Sequence, residues 1–331
     1  MLDLSKARVL VTGGAGFIGS ALVWALNLRG CDSIVVVDFL GQTDKWRHLR
    51  PLRFEDYVEA DDLADQLCND RLGKFDLVLH MGACSSTTET DAAYLIRNNY
   101  QYTKDLAGYA MKSGARFVYA SSAATYGDGS AGMSDSAELE YLHTLRPLNM
   151  YGYSKHLFDV HAAHNGWLTQ IAGLKYFNVY GPNEDHKGDM RSLVHKAYGQ
   201  VVETGRIRLF HSHRDDYGHG EQQRDFLYVK DAVDMTLHVA AGGHNGLFNI
   251  GSGRAATWNS LANAVFSALG RDPKIDYFDM PEELREKYQY FTQADISRLR
   301  KTGYAREVTS LDEAVRDYVQ SYLVLGKQLG E

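Results

Sequence analysis

Tyr151 and Lys155, four residues apart in Tyr-Gly-Tyr-Ser-Lys, are a pair of side chains able to share one proton-transfer task. On a helix, residues four apart lie on one face, so the two would project together. A phenol with a pKa of ~10 is a poor base at neutral pH. A neighbouring ammonium stabilises phenolate and is expected to bring that value down, towards efficient proton transfer. The spacing alone equally fits two unrelated residues on a solvated helix face. Its weight comes from two further segments, Gly13 to Gly19 and Ser121 to Gly127.

In the first segment, Val9-Leu-Val-Thr runs into Gly13-Gly-Ala-Gly16-Phe-Ile-Gly19, and a helical apolar pattern follows at Ala21, Leu22, Ala25 and Leu26. That order predicts strand, tight turn, helix. The spacing is Gly-x-x-Gly-x-x-Gly rather than the commoner Gly-x-Gly-x-x-Gly. The physics is shared: Gly13 permits the turn, Gly16 lets backbone amides approach a pyrophosphate, and Gly19 lets helix pack on strand. The helix N-terminus supplies donors and the positive end of its dipole. A second apolar run, Ile34-Val-Val-Val, ends in Asp38, about 20 residues on, where a ribose hydroxyl would be read. The expectation is a dinucleotide site.

In the other segment, Phe117-Val-Tyr-Ala-Ser-Ser122 ends a strand in hydroxyl groups. A serine there can hold a reacting oxygen near the Tyr151 hydroxyl, or simply cap a turn.

Strand and helix patterns alternate along the first half of the chain. Strands are predicted at 8–12, 33–38, 75–80, 116–120 and 171–176, and helices at 16–28, 94–113 and 154–165. The fold class is therefore α/β, a Rossmann-like doubly wound parallel sheet with ligands at the carboxyl ends of its strands. Residues 1–180 are expected to hold the NAD(P) cofactor. Residues 181–331 form mainly a smaller substrate lobe, with 225–250 able to return to the first. Predicted there are helices at 192–203, 231–241, 258–269 and 310–325, and strands at 207–210 and 225–229.

A chain of 331 residues with 44% apolar content can bury a large core. A net charge of −7 without a basic run argues against nucleic acid as partner. No run of 18 apolar residues exists, and the first strand begins almost at once, leaving no expected leader or membrane span. Cys31, Cys68 and Cys84 are spaced for neither a disulfide framework nor zinc. A cytoplasmic protein with reduced thiols is expected. The loop holding His211, His213, Asp215, Asp216 and His219 offers metal-ligand types, but polar loop side chains are usually solvated. No metal is expected.

With these segments in order, the chain resembles the extended short-chain dehydrogenase/reductase superfamily, in its NAD-dependent epimerase/dehydratase family. The resemblance runs over nearly the whole length. It is carried by Gly82-Ala-Cys-Ser-Ser-Thr-Thr-Glu89, Asn98-Asn-Tyr-Gln-Tyr102, Tyr119-Ala-Ser-Ser-Ala-Ala-Thr-Tyr-Gly127 and Tyr151-Gly-Tyr-Ser-Lys155. Further on come Tyr176-Phe-Asn-Val-Tyr-Gly-Pro182, His186-Lys-Gly188, Arg224-Asp-Phe226 and Tyr288-Gln-Tyr-Phe-Thr-Gln-Ala-Asp295. The Ala-Cys-Ser-Ser-Thr-Thr, His-Lys-Gly and Phe-Thr-Gln-Ala-Asp runs narrow it to members that act on ADP-linked heptose.

The resemblance implies an isomerase that inverts C6″ of the heptose through a transient ketone, supplying lipopolysaccharide inner-core synthesis. It maps catalytic roles onto Ser122, Tyr151, Lys155 and Lys187, the last a second acid/base group across the sugar. Cofactor contacts map to Gly13, Gly16, Phe17, Ile18, Gly19, Asp38, Phe39, Lys45, Met81, Gly82, Ala83, Cys84, Ser85, Asn98, Lys155, Val179 and Lys187. Cys84 would be a small buried lining residue. Substrate contacts map to Ser122, Asn178, Asp189, Lys196, Phe210, Arg224 and Tyr288, with Lys196 and Arg224 on the diphosphate. Arg224 could instead pair with adjacent Asp225. The resemblance implies NADP, served by Lys45; Asp38 by itself favours NAD, and a second basic position of the family is Ala60 here. It also implies a homo-oligomer, a pentamer. Two alternatives stand beside it: an epimerase of another nucleotide sugar, such as a UDP-sugar 4-epimerase, and a non-catalytic NAD(P)-binding sensor. Ala123 and Ala124 stand where dehydratases carry an acidic pair.

Overall fold

Val9 and Val11 of the first strand, β1 (Val9–Thr12), pack into one apolar cluster while Leu10 between them packs into another. Side chains alternate across a strand, so a strand buried on both faces divides its residues this way. β2 (Ile34–Asp38) does the same, with Ile34 and Val36 on the first face and Val35 and Val37 on the second. A computed structural model describes residues 1–285 and 288–331 of the chain.

β1 leads through the glycine turn into α1 (Phe17–Leu28). After β2 come α2 (Trp46–Leu49), β3 (Asp56–Glu59), α3 (Ala60–Cys68) and β4 (Leu77–His80). α4 (Ala92–Leu95) and α5 (Tyr102–Ser113) precede β5 (Arg116–Ser122). Then follow α6 (Leu139–Leu142), α7 (Met150–His164), β6 (Ala172–Tyr176) and β7 (Asn178–Tyr180). The remaining elements are α8 (Leu193–Thr204), β8 (Ile207–Phe210), β9 (Gln223–Tyr228), α9 (Val229–Gly242) and β10 (Gly246–Ile250), then β11 (Ala255–Thr257), α10 (Trp258–Ala268), β12 (Ile275–Phe278), α11 (Glu282–Arg285), α12 (Ser297–Lys301) and α13 (Leu311–Asp317).

Seven strands form one sheet in the order β10-β6-β5-β4-β1-β2-β3, every pairing parallel. The doubly wound α/β fold read from the alternation is thus observed, and its carboxyl edge gathers Asp38, His80 and Ser122. A smaller sheet, β11-β9-β7, and a pair, β12-β8, stand beside it. β10 pairs with β6 in the large sheet, whereas β9 pairs with β7 and β11 in the small one.

Several elements differ from the sequence reading. α7 begins at Met150, not Ser154, because the Asn149 side chain accepts from Gly152 N at 2.8 Å and caps it. Gly152 is required by packing: a Cβ there would come 2.7 Å from Ala124 O. The predicted helix 94–113 is interrupted by a π-turn, Ile96–Gln101, and the helix expected at 310–325 passes from α13 into a π-turn, Tyr318–Leu323. β3, β7, β10, β11 and β12 are short and carried no usable alternation. Among the described residues no helix is long and apolar enough to cross a membrane.

Candidate active site

The glycine turn is packed too closely for larger residues. Gly13 has φ +66°, and a Cβ on it would come 2.7 Å from Gly82 N. A Cβ on Gly19 would come 2.0 Å from Gly13 O. Gly16 is the N-cap of α1 and brings no side-chain cap, and no acid sits in the first turn. The opening N–H groups therefore face outward with a positive dipole end. Phe17 is buried and Ile18 half-buried behind them.

Asp38 closes this corner. It accepts from Ala15 N at 2.9 Å, Phe39 N at 2.7 Å and Lys45 Nζ at 2.7 Å. Lys45, which the resemblance sets against a cofactor phosphate, is here the counter-ion of Asp38. Phe39 is exposed. Ala60 opens α3 directly after β3, whose Glu59 is the register partner of Asp38.

Met81 to Cys84 are half-buried and Ser85 is exposed, so Cys84 is more open than expected. The segment is held by Asn99, which the sequence reading passed over in favour of its neighbour. Asn99 Oδ1 accepts from Cys84 N at 2.8 Å, and its Nδ2 donates to Cys84 O and to Ser154 Oγ, each at 2.9 Å. Asn98 donates to Tyr94 O within its own turn. The π-turn is what aims Asn99 at both partners.

Ser122, Tyr151 and Lys155 come together at the end of β5. Ser122 Oγ accepts from Ala124 N at 3.1 Å, so it caps a short turn, and its own hydrogen remains available. Lys155 Nζ donates to Ala120 O at 2.9 Å. Burial raises the Tyr151 phenol above its ordinary value, opposed by the Ser122 hydroxyl and reinforced by Cys84. Burial lowers the Lys155 amine to about 8, against the pull of Asp159. The expected depression of the phenol by Lys155 is therefore not what the geometry produces. Desolvation governs both groups.

Beneath them lies a buried network absent from the sequence reading. Asp159, one turn beyond Lys155, accepts from Tyr119 Oη at 2.8 Å, Ser121 Oγ at 2.7 Å and Lys175 Nζ at 2.6 Å. Lys175 also donates to Thr125 Oγ1 at 2.7 Å. The network joins β5, β6 and α7, and so fixes the Tyr151 face against the sheet edge. A lysine inside the apolar strand 171–176 was the signal that could have found it.

Of the remaining residues, Asn178, Val179, Lys187, Lys196, Phe210 and Tyr288 line a cavity of about 540 Å³ beyond β7. The Lys187 ammonium stands over the Phe17 ring, linking this cavity to α1. Arg224 is buried and lies 5.0 Å from the Tyr288 ring centroid and 5.8 Å from that of Trp258, and it donates to Gln223 O at 2.8 Å. It does not pair with Asp225, which accepts instead from Ser252, Gly253 and Ala294. Among the described residues Arg224 has no carboxylate within ion-pair distance. Asp189 is exposed, with its carbonyl accepting from Lys196 Nζ at 2.6 Å. The histidine-rich loop bonds internally and to the residue after β12: His211 to Asp279 at 2.9 Å, and Ser212 N to His219 at 3.1 Å.

A family model described as the NAD dependent epimerase/dehydratase family matches residues 9–251. The chain belongs to this family. An ADP-L-glycero-D-manno-heptose-6-epimerase of Nitratidesulfovibrio vulgaris is 53% identical over 316 residues, covering 95% of this chain and 97% of that protein. The solved ADP-L-glycero-D-manno-heptose-6-epimerase of Helicobacter pylori is 27% identical with a TM-score of 0.80, covering 97% of each chain. A UDP-glucose 4-epimerase of Thermus thermophilus, solved in complex with NAD, is 25% identical with a TM-score of 0.75, covering 94% of this chain and 97% of that one.

The family membership read from the motifs is thus borne out, and a nicotinamide dinucleotide is the cofactor class of this epimerase/dehydratase. The chain's own residues fit such a group. The turn between Gly13 and Gly19 tolerates no Cβ at two positions, and the α1 N-terminus is uncapped by any side chain. Close backbone approach and a bare helix N-terminus are what a pyrophosphate requires.

Proposed function

We propose that this epimerase/dehydratase inverts C6″ of ADP-D-glycero-D-manno-heptose to give ADP-L-glycero-D-manno-heptose, with tightly held NADP. The observation that carries the chemistry is Lys187: a half-buried ammonium over Phe17, in a separate element from Tyr151, lining the cavity beyond the sheet edge. The 53% likeness to the Nitratidesulfovibrio vulgaris enzyme over almost its whole length supports the substrate. The Thermus thermophilus likeness supports the shared redox chemistry rather than the sugar.

When bound, the nicotinamide supplies an acceptor and donor of hydride. The chain supplies everything else. Inversion at one carbon needs a proton taken from the hydroxyl and returned to the same oxygen after the sugar presents its other face, so two acid/base groups on two elements suit it. Tyr151 and Lys187 fill these roles. Ser122 donates to the reacting oxygen, and Lys155, beside Ala120 O, orients the cofactor and the phenol. Lys196 and Arg224 receive the diphosphate, Arg224 offering a planar fork and Lys196 a point charge. Asn178, Asp189, Phe210 and Tyr288 complete the sugar-nucleotide contacts. Residues 1–180, with 225–250, hold the cofactor; residues 181–331 mainly hold the substrate.

The Lys45–Asp38 pair supports NADP, because it neutralises the carboxylate that would repel a 2′-phosphate. Lys45→Ala should weaken NADP by more than tenfold relative to NAD, and an unchanged ratio would favour NAD. The protein acts in the cytoplasm as a homo-oligomer, a pentamer. Incubation with ADP-D-glycero-D-manno-heptose and chromatographic resolution of the epimers tests the function. A product still of D-glycero configuration rejects it.

A further inference from the structure

His48 lies on α2, outside the groups given roles above, and its side chain is fully buried. Its Nδ1 is 2.8 Å from Ala15 O, in the glycine turn. Its Nε2 is 2.9 Å from Asp185 Oδ1, in the turn Asp185–Met190 that carries Lys187. The ring thus spans the cofactor cradle and the acid/base turn.

The partners dictate its protons. A carbonyl oxygen can only accept, so Nδ1 carries hydrogen and donates to Ala15 O. With that tautomer, a neutral ring would turn the Nε2 lone pair onto a carboxylate. The contact becomes attractive when a second proton lies in it. Asp185 does not hold that proton: although burial acts upward on its carboxyl, the hydrogen bond from His48 and the imidazolium charge bring it to about 2. With both ring nitrogens facing acceptor oxygens, the contact geometry places the proton on His48 Nε2.

We propose that His48 is a positioning residue, its doubly protonated imidazole tying Ala15 to Asp185 and so setting where Lys187 stands relative to α1. The proposal rests on the reading of Lys187 as an acid/base group. The same turn is clamped at its other side by Glu184, which accepts from Ser192 N and Ser192 Oγ at 2.6 Å each. Glu184 closes the turn on itself, whereas His48 hydrogen-bonds it across to the glycine turn.

Several charges surround the ring. Asp185, His186 and Lys187 belong to the turn; Lys45 and Lys187 act on the neighbouring His186, and Asp185 acts on His195 and Tyr318. His186 stands edge-on at 5.0 Å between ring centroids and is brought to about 4 by burial and then by the His48 charge, so it is neutral at working pH. His48, Asp185 and His186 also lie within 4.8 Å in the manner of metal ligands. The His48 nitrogen and Asp185 oxygen an ion would use already face each other across a hydrogen bond.

Without the Nε2 proton the contact turns repulsive and the turn loosens. Histidine-selective ¹⁵N labelling of the full chain reads the ring directly, and kinetics from pH about 6 to about 9 read the consequence. Both His48 nitrogens should be protonated at neutral pH. His48→Phe should lower kcat about 100-fold with KM changed less than about threefold, the cost of misplacing an acid/base group. Asp185→Asn, whose amide donates to a neutral Nε2, should move the alkaline limb of kcat upward. A neutral His48 ring at neutral pH, a wild-type kcat in His48→Phe, or an unmoved limb in Asp185→Asn would overturn the proposal. If His48→Phe does not fold, the spectrum and Asp185→Asn decide. A fully active Lys187→Ala would sink the acid/base reading instead, and the ¹⁵N spectrum would still report on the tie itself.

Discussion

The Lys187 ammonium lies 5.2 Å from the centroid of Phe17, the first residue of α1. An aromatic face attracts a cation at this range, so the contact holds the Lys187 turn against α1 without neutralising the charge. Burial lowers the Lys187 amine, with Glu184 opposing, and a lowered amine exchanges protons more readily near neutrality.

Lys187→Met and Tyr151→Phe should each lower kcat by about 10²- to 10⁴-fold, the usual worth of an acid/base group. Fluorescence titration should find dinucleotide binding within about twofold of wild type. A near-normal rate in the Lys187 variant would remove the two-group scheme.

Arg224 presents a desolvated guanidinium stacked on Tyr288 and Trp258, whose rings line the cavity. Burial lowers its basicity, yet an arginine keeps its charge at working pH. Arg224→Met should raise KM for the ADP-sugar by about 10- to 100-fold, the worth of charge-assisted hydrogen bonds, and change kcat much less. Arg224→Lys should recover only part, since it lacks the fork. An unchanged KM would mean that the diphosphate lies elsewhere.

Lys155 links the site to stability. Its ordinary value of 10.5 falls to about 8 in the folded chain, mainly by burial. Below pH 8 the amine is charged in both states and the desolvation cost is fully present. Between 8 and 10.5 the folded chain has shed a proton that the unfolded chain retains, so stability rises with pH across that window. Each pH unit over which the two states differ by one proton is worth ~1.4 kcal/mol, so wild type should gain on the order of 3 kcal/mol relative to Lys155→Met. Urea unfolding at both ends measures it. A constant difference would mean that the ammonium is not desolvated.

The parallel sheet was legible because β1, β2 and β5 are apolar runs, followed by glycine in β1 and ending in an acid and a hydroxyl in β2 and β5. What the sequence concealed depends on long-range pairing. Asn99 and Asn98 are indistinguishable in a linear string; only the π-turn decides which side chain reaches Cys84. Asp159 and Lys175 meet because α7 packs on β5 and β6 pairs beside that strand, which no local pattern reports. The direction in which the Tyr151 phenol moves was misread for a related reason: helix spacing foretold a near ammonium but not the burial that outweighs it.

The most direct measurement of the central claim uses ADP-D-glycero-D-manno-heptose carrying deuterium at C6″, converted in ordinary water and analysed by mass spectrometry and proton NMR. Carbon-bound deuterium lent to the cofactor and returned to the opposite face predicts an L-glycero product that keeps its label at C6″. Replacement of the label by solvent hydrogen as configuration inverts would contradict it.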